Sequence, residues 1–273
     1  MTDKITIMFL GDIVGRPGRH AVKEYIAKLG ENRPDFIIAN VENASHGFGL
    51  TQKNYNELLG YGIDFFTSGN HIWDKREIFN YIDEADRLIR PINYPKGTHG
   101  KGYAIIDTPK CKVGVINILG RTFMGTVDSY FELLENAIEE IKKETNVIFM
   151  DIHAEATAEK ISVARYYADK GISFTAGTHT HVQTADEQIF SGKSAYISDA
   201  GFCGAVSGVI GMDYEISVRR MFSAIPERLE VASSDKLQIN GAVAVIDCLT
   251  GQADSIKRIN EIIINEENTD MKG

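Results

Sequence analysis

Short, nearly unbroken apolar runs alternate along the chain with longer segments whose apolar residues recur at helical spacing. ITIMFL (5–10), DFIIANV (35–41), IDFFTSG (63–69), NVIFMDI (146–152), GISFTAG (171–177) and KSAYISD (193–199) are runs of the first kind. An unbroken apolar run of this length reads as a strand covered on both faces. RPGRHAVKEYIAKLG (16–30), TQKNYNELLG (51–60), DKREIFNYI (74–82), SYFELLENAIEEIKKE (129–144), TAEKISVARYYADKG (157–171) and DYEISVRRMFSAI (213–225) carry the helical period. Pro17 suits a first helical turn and Gly30 a stop, while Thr51 and Ser129 are candidate N-caps. KGYAIID and KCKVGVINI, joined by a Pro109 turn, predict a hairpin. LQINGAVAVIDCL and DSIKRINEIII predict a closing antiparallel pair. Residues 83–100 and the glycine-rich 200–211 read as loops. With no repeat or linker, residues 1–265 are expected to form a single α/β domain with mixed sheets flanked by helices, and 266–273 a frayed polar tail.

The polar residues that break this pattern stand just after apolar runs. Asp12 follows FLG, Glu42 and Asn43 follow IIANV, and Asn70 and His71 follow FFTSG. His153 follows VIFMDI, and His179 and His181 follow the run ending in TAG. Sites in α/β sheets form beyond the carboxyl ends of strands, so these scattered residues are expected to converge. Each has a bland alternative: a turn or cap for Asp12, a solvated loop for Glu42 and Asn43, a turn for Asn70, a satisfied core histidine for His153. Recurrence at five strand ends favours a metal site. A strand places residues i and i+2 on one face, so His179 and His181 are expected to leave the end of GISFTAG in one direction. Three imidazoles, two carboxylates and one or two amides are too many donors for one four-coordinate zinc. They suit two divalent ions sharing a carboxylate. Nitrogen and oxygen donors without thiolate favour iron or manganese, with zinc also compatible, over magnesium or calcium.

Charge and cysteine content narrow the setting. A net charge of −9 argues against a non-specific grip on long nucleic acid, though not against a small anionic substrate at a bound cation. Cys111, Cys203 and Cys248 are widely spaced and form no CxxC pair, which suggests reduced thiols. With no membrane-length apolar run, a cytoplasmic protein is expected, and a homo-oligomer is left open.

The order GD…EN…GNH…H…GTHTH resembles the calcineurin-like metallophosphoesterase superfamily, with GTHTH similar to its GHxH block and GNH to its most diagnostic triplet. Two departures stand out. Val14 occupies the place of the first-block histidine, and VEN replaces the GDxxD block. Both departures, together with GDIVGRPGR, GNHIWDK, DIHAEATAEK, GTHTHVQTADE and YISDAGFCG, resemble the YmdB-like bacterial family. The resemblance implies a four-layer α/β/β/α sandwich with two mixed sheets and a dinuclear centre. One ion would take Asp12, Glu42, Asn43 and His181; the other would take the same Glu42 with Asn70, His153 and His179. It implies phosphodiesterase action on 2′,3′- or 3′,5′-cyclic nucleotides by attack of a metal-bridged hydroxide on phosphorus. His71 would protonate the leaving oxygen, and Asp74, three residues on, is a candidate to orient it. The alternatives are a broad phosphomonoesterase or protein phosphatase, a metal-bearing regulatory module with incidental activity, and an amidohydrolase-type barrel. The last is disfavoured because HxH comes late in this chain. The substrate-binding residues are unknown from sequence. Tyr94, His99, Arg121 and Phe202, in irregular stretches, and Arg16 and Arg19, near Asp12, are candidates. Trp73 reads as packing, His20 as helix surface and His46 as loop.

Overall fold

The computed structural model describes residues 4–265. In chain order its strands and α-helices are β1 (Lys4–Leu10), β2 (Asp12–Ile13), α1 (Gly15–Leu29), β3 (Phe36–Asn40), α2 (Gln52–Gly60), β4 (Phe65–Thr67), β5 (Tyr103–Asp107) and β6 (Lys112–Leu119). There follow α3 (Phe131–Lys142), β7 (Ile148–His153), α4 (Thr157–Ala168), β8 (Phe174–Thr178), β9 (Gln188–Phe190), β10 (Ser194–Ile197), β11 (Phe202–Ala205), α5 (Tyr214–Ser223), β12 (Lys236–Asp247) and β13 (Ala253–Ile264). Among the described residues the strands form two mixed sheets. One has the order β2-β11-β12-β1-β3-β4, with β13 also on β12, and the other β5-β6-β7-β8-β10-β9.

Two-sided burial explains the unbroken apolar runs. In β1, Ile5, Ile7 and Phe9 point into a core between the sheets, with Phe36 and Ile38 from β3, Phe65, Phe149 and Phe174. The alternate residues Met8 and Leu10 pack with Ala21, Val22 and Leu58 of α1 and α2. Across the molecule, Ile148, Met150 and Ile152 of β7 meet Leu134, Ile138 and Ile141 of α3. The result is the four-layer α/β/β/α sandwich.

Strands β1, β3 and β4 run parallel in one sheet, as do β6, β7, β8 and β10 in the other. The predicted hairpin is β5–β6 and the closing pair β12–β13, both antiparallel. Thr51 caps α2, its Oγ1 accepting from the amide of Asn54 at 3.3 Å.

Three expectations are corrected. Residues 74–82 form no α-helix: two 3₁₀ segments, Asn70–Asp74 and Arg76–Asn80, occupy this stretch. Here the Glu42 carboxylate holds the His71 amide and the Asp74 side chain turns to the His71 ring, so both are committed to the strand end. Ser129 caps nothing; α3 starts after Tyr130, whose hydroxyl donates to Glu159 instead. The stretch 200–211 contains β11, which pairs with β2 and β12 and so satisfies its backbone inside the sheet. Gln188–Phe190 is a strand held antiparallel to β10. The polar tail, 266–273, lies outside the described residues. Among the described residues no helix is long and apolar enough to cross a membrane.

Phe149 bridges the sheets, with ring centroids 4.9 Å from Phe9 and 5.1 Å from Phe174. Phe149→Ala is expected to lower unfolding free energy by about 3–5 kcal/mol in a urea titration, the cost of a large aromatic cavity in a close-packed core.

Candidate metal centre

The inner face of each parallel strand changes character toward its carboxyl end. Along β3 and its extension, Phe36 and Ile38 are followed by Asn40 and then Glu42. Along β7, Phe149 is followed by Asp151 and His153, and along β8 Phe174 and Ala176 are followed by Thr178. The first polar layer is buried and closed on itself. Asp151 accepts from Thr67 Oγ1 (2.6 Å), Asn40 Nδ2 (3.0 Å) and Thr178 Oγ1 (2.7 Å). Burial raises the Asp151 carboxyl to about 7, against the lowering effect of His153 and these hydrogen bonds.

The next layer contains the predicted ligands. Thr178 spends its hydroxyl proton on Asp151, so His153 Nδ1, 2.9 Å away, donates to Thr178 Oγ1. In the neutral ring Nε2 then carries a lone pair. That nitrogen lies 3.2 Å from Glu42 Oε1, 3.0 Å from Asn70 Oδ1 and 3.1 Å from His179 Nδ1. The same logic applies to the other two imidazoles. His181 gives Nδ1–H to the Ile210 carbonyl at 2.8 Å, which leaves Nε2 facing Asp12 Oδ1 at 3.8 Å. His179 Nε2 reaches Glu155 at 3.3 Å, which leaves Nδ1 inward. Asp12 accepts the His179 amide on Oδ2, while its buried Oδ1 has no hydrogen-bond partner. Asn43 turns its Nδ2 to Glu42 Oε1 (3.2 Å) and His181 Nε2 (3.1 Å), so as a ligand it would have to present its oxygen instead.

Apart from the Asn43 amide, the groups that converge here are acceptors that a cation would satisfy. The donor atoms of Glu42, His153 and His179 all lie within 4.8 Å of one another. This oxygen and imidazole set fits a first-row divalent metal. Without metal, a proton on His153 does the work. Burial opposes that charge, but the Glu42 carboxylate outweighs it and raises His153 to about 9. Burial likewise opposes ionisation of Glu42, and the charge and hydrogen bond of His153 overcome it, lowering Glu42 to about 2. Burial and then the His153 charge lower His179 to about 3.

His179 and His181 line one cleft, but strand alternation is not what aims them. β8 ends at Thr178, and both histidines adopt positive φ, 98° and 63°, in the turn beyond it. Such conformations cost roughly 1–3 kcal/mol each and need outside support. Asp199 supplies it by accepting from the Thr180 amide (3.2 Å) and hydroxyl (2.8 Å), and buried Lys160 neutralises Asp199 at 2.7 Å. Gly69 allows the close approach of β4, since a Cβ there would collide with Glu42 Oε2 and His153.

His71 lies at the edge of the ligand group. It is part-exposed, its Nδ1 2.8 Å from Asp74 Oδ2 and its ring edge-on to Phe48. A cleft of about 420 Å³ is lined by His71, Phe48, Glu42, Asn43, His179 and His181, among others. The proposed substrate contacts fare differently. Phe202 is buried and stacks on the His181 ring, and Arg19 is held by Glu57 and the Ala44 carbonyl. His99 pairs with Asp83, and the Arg121 amide anchors to Glu159. Trp73 packs against Phe79 and Tyr94. Sequence reading missed Asp151, Thr178, Lys160, Asp199 and Glu155. Continuing the strand period of β8 past its apolar residues would have found Thr178.

Thr178→Val should keep every ligand side chain but lose the acceptor that orients His153. Manganese affinity by titration calorimetry is expected to fall about 10–100-fold; unchanged affinity would contradict this account.

Comparisons with known proteins agree with this architecture. A family model described as YmdB-like protein matches residues 8–259. A Bacillus subtilis (strain 168) protein named 2′,3′-cyclic-nucleotide 2′-phosphodiesterase is 45% identical over 262 residues, 96% of this chain and 97% of that one. A crystal structure described as a novel phosphatase from Mycoplasma pneumoniae superposes with a TM-score of 0.89 at 30% identity, covering 99% of this chain and 98% of that one. A crystal structure of a hypothetical protein from Thermus thermophilus gives 0.88 at 31%, covering 94% and 99%. The chain therefore belongs to the YmdB-like family.

Proposed function

We propose that this phosphoric ester hydrolase is a two-metal phosphodiesterase acting on cyclic nucleotides, the 2′,3′-cyclic class foremost. The observation that carries the proposal is the convergence of Asp12 Oδ1, Glu42, and the inward nitrogens of His153, His179 and His181 beside a cleft that also contains His71. The 45% identical relative named for 2′,3′-cyclic nucleotides supports the substrate class. On this reading residues 1–265 act as one catalytic unit in the cytoplasm.

Asp12, Glu42, Asn43 and His181 would hold one ion, and Glu42, Asn70, His153 and His179 the other. When bound, such a pair acidifies water and withdraws charge from the phosphoryl oxygens. The chain's own residues do the rest. The Asp151 layer fixes the His153 tautomer, and the Lys160–Asp199 pair fixes the turn that carries His179 and His181. Water oxygen bonds to phosphorus as one ring ester bond breaks, and the product is a monoester with a new hydroxyl. The leaving oxygen needs a proton. On this reading His71 gives it from Nε2, with Asp74 engaging Nδ1.

His71→Ala is expected to bind metal normally and to lose about 10²–10⁴-fold in kcat on 2′,3′-cyclic AMP. Unchanged kcat with full metal content would remove His71 from the mechanism. A second reading, a broad monoesterase, is favoured by the Mycoplasma pneumoniae structure described as a phosphatase. Bis-p-nitrophenyl phosphate is expected to be cleaved with higher kcat/KM than p-nitrophenyl phosphate, and the reverse ranking would favour the monoesterase. Chelation should abolish both activities, and added manganese or iron should restore them.

A further inference from the structure

A second groove, of about 440 Å³, adjoins the metal cleft. It is lined by Arg16, Pro17, His46 and the segment from Arg228 to Ser233, and Leu229 lines both spaces. Its walls grow from the ligand-bearing segments. Arg16 lies four residues beyond Asp12 and His46 three beyond Asn43, and the Gly15 amide donates to the Asn43 carbonyl at 2.9 Å to tie the two together. The third wall packs onto them directly: a Cβ at Gly15 or Gly47 would run into Val231. Of the residues that line it, Arg16 and Arg228 are cationic and Glu230 anionic, so the groove is locally basic in a chain of net charge −9.

We propose that this groove is a subsite for the next phosphate of an oligonucleotide whose 2′,3′-cyclic terminal phosphate occupies the metal cleft. The inference rests on the phosphodiesterase reading above and names its substrate more narrowly: short RNA ends rather than free mononucleotides. Arginine suits this task because its planar donors match phosphate oxygens. Leu229, at the junction, offers an apolar ledge to the terminal nucleoside. A short basic groove on an acidic protein favours a few nucleotides of single strand over a long duplex, whose binding scales with the number of phosphates neutralised.

The test uses the manganese-loaded protein, a phosphoserine peptide and three nucleotide substrates. These are adenosine 2′,3′-cyclic phosphate, the dinucleotide ApA ending in a 2′,3′-cyclic phosphate, and the same dinucleotide with an uncharged methylphosphonate linkage. The expected result is a kcat/KM for the dinucleotide roughly tenfold or more above the mononucleotide, the scale of one charge-assisted contact. The methylphosphonate, Arg228→Ala and Arg16→Ala should each remove most of that advantage. Arg228 does not line the metal cleft, so mononucleotide turnover should be unchanged in Arg228→Ala. Arg228→Glu should penalise the dinucleotide further. Mononucleotide hydrolysis with no dinucleotide advantage, or an advantage that survives both arginine variants, overturns the subsite and leaves the diesterase reading standing. No hydrolysis of any cyclic phosphate overturns the diesterase reading itself. Faster hydrolysis of a phosphoserine peptide than of any nucleotide overturns the RNA assignment.

Discussion

A buried carboxylate surrounded by imidazole nitrogens whose protons are committed elsewhere is the constraint on which this molecule is organised. Thr178 takes the proton of His153 and the Ile210 carbonyl that of His181, while His179 Nε2 lies 3.3 Å from Glu155. What remains facing Glu42 and Asp12, besides the Asn43 amide, is a set of acceptors. Like-signed acceptors at about 3 Å in a low-dielectric interior repel strongly unless positive charge lies among them. The metal-free chain answers with a proton on His153, held by Glu42. On the proposed reading a pair of divalent ions would answer with the same sign of charge and add chemistry.

The scaffold builds this site by extending the core. Between the sheets the strands present Phe, Ile and Val; one residue pair further on they present Asn40, Thr67, Asp151 and Thr178; and at the next step they present the ligands. The middle layer insulates. It separates the charged ligands from the aromatic core and leaves none of its own polar groups idle, which keeps the cost of burying them low. Because β1, β3, β4, β7 and β8 all run with their carboxyl ends toward this edge, five separate segments deliver side chains to one place.

Much of this was legible in the sequence, for a physical reason. Two-sided burial produces unbroken apolar runs, so the strands stood out, and polar residues directly after such runs had no packing role to explain them. Asp12, Glu42, Asn70 and His153 could be grouped on that basis before any coordinates. Asp151 could not, because a lone carboxyl inside an apolar strand looks like noise unless its partners Asn40, Thr67 and Thr178 are known to face it. The turn that aims His179 and His181 was not legible, because positive φ at both residues is sustained by Asp199 and Lys160, distant in sequence. The stretch 74–82 has helical spacing, but its first residues are bound to the site. Arg16, His46 and Arg228 meet only through tertiary packing, so no local pattern could connect them.

The central claim is that Glu42 lies between two cations. Anomalous diffraction from crystals grown with manganese measures this directly. The account predicts two ordered peaks about 3.5–4 Å apart flanking the Glu42 carboxylate, one near Asp12 and His181 and the other near His153 and His179. The absence of ordered peaks there at saturating manganese, or peaks only elsewhere on the molecule, would contradict it.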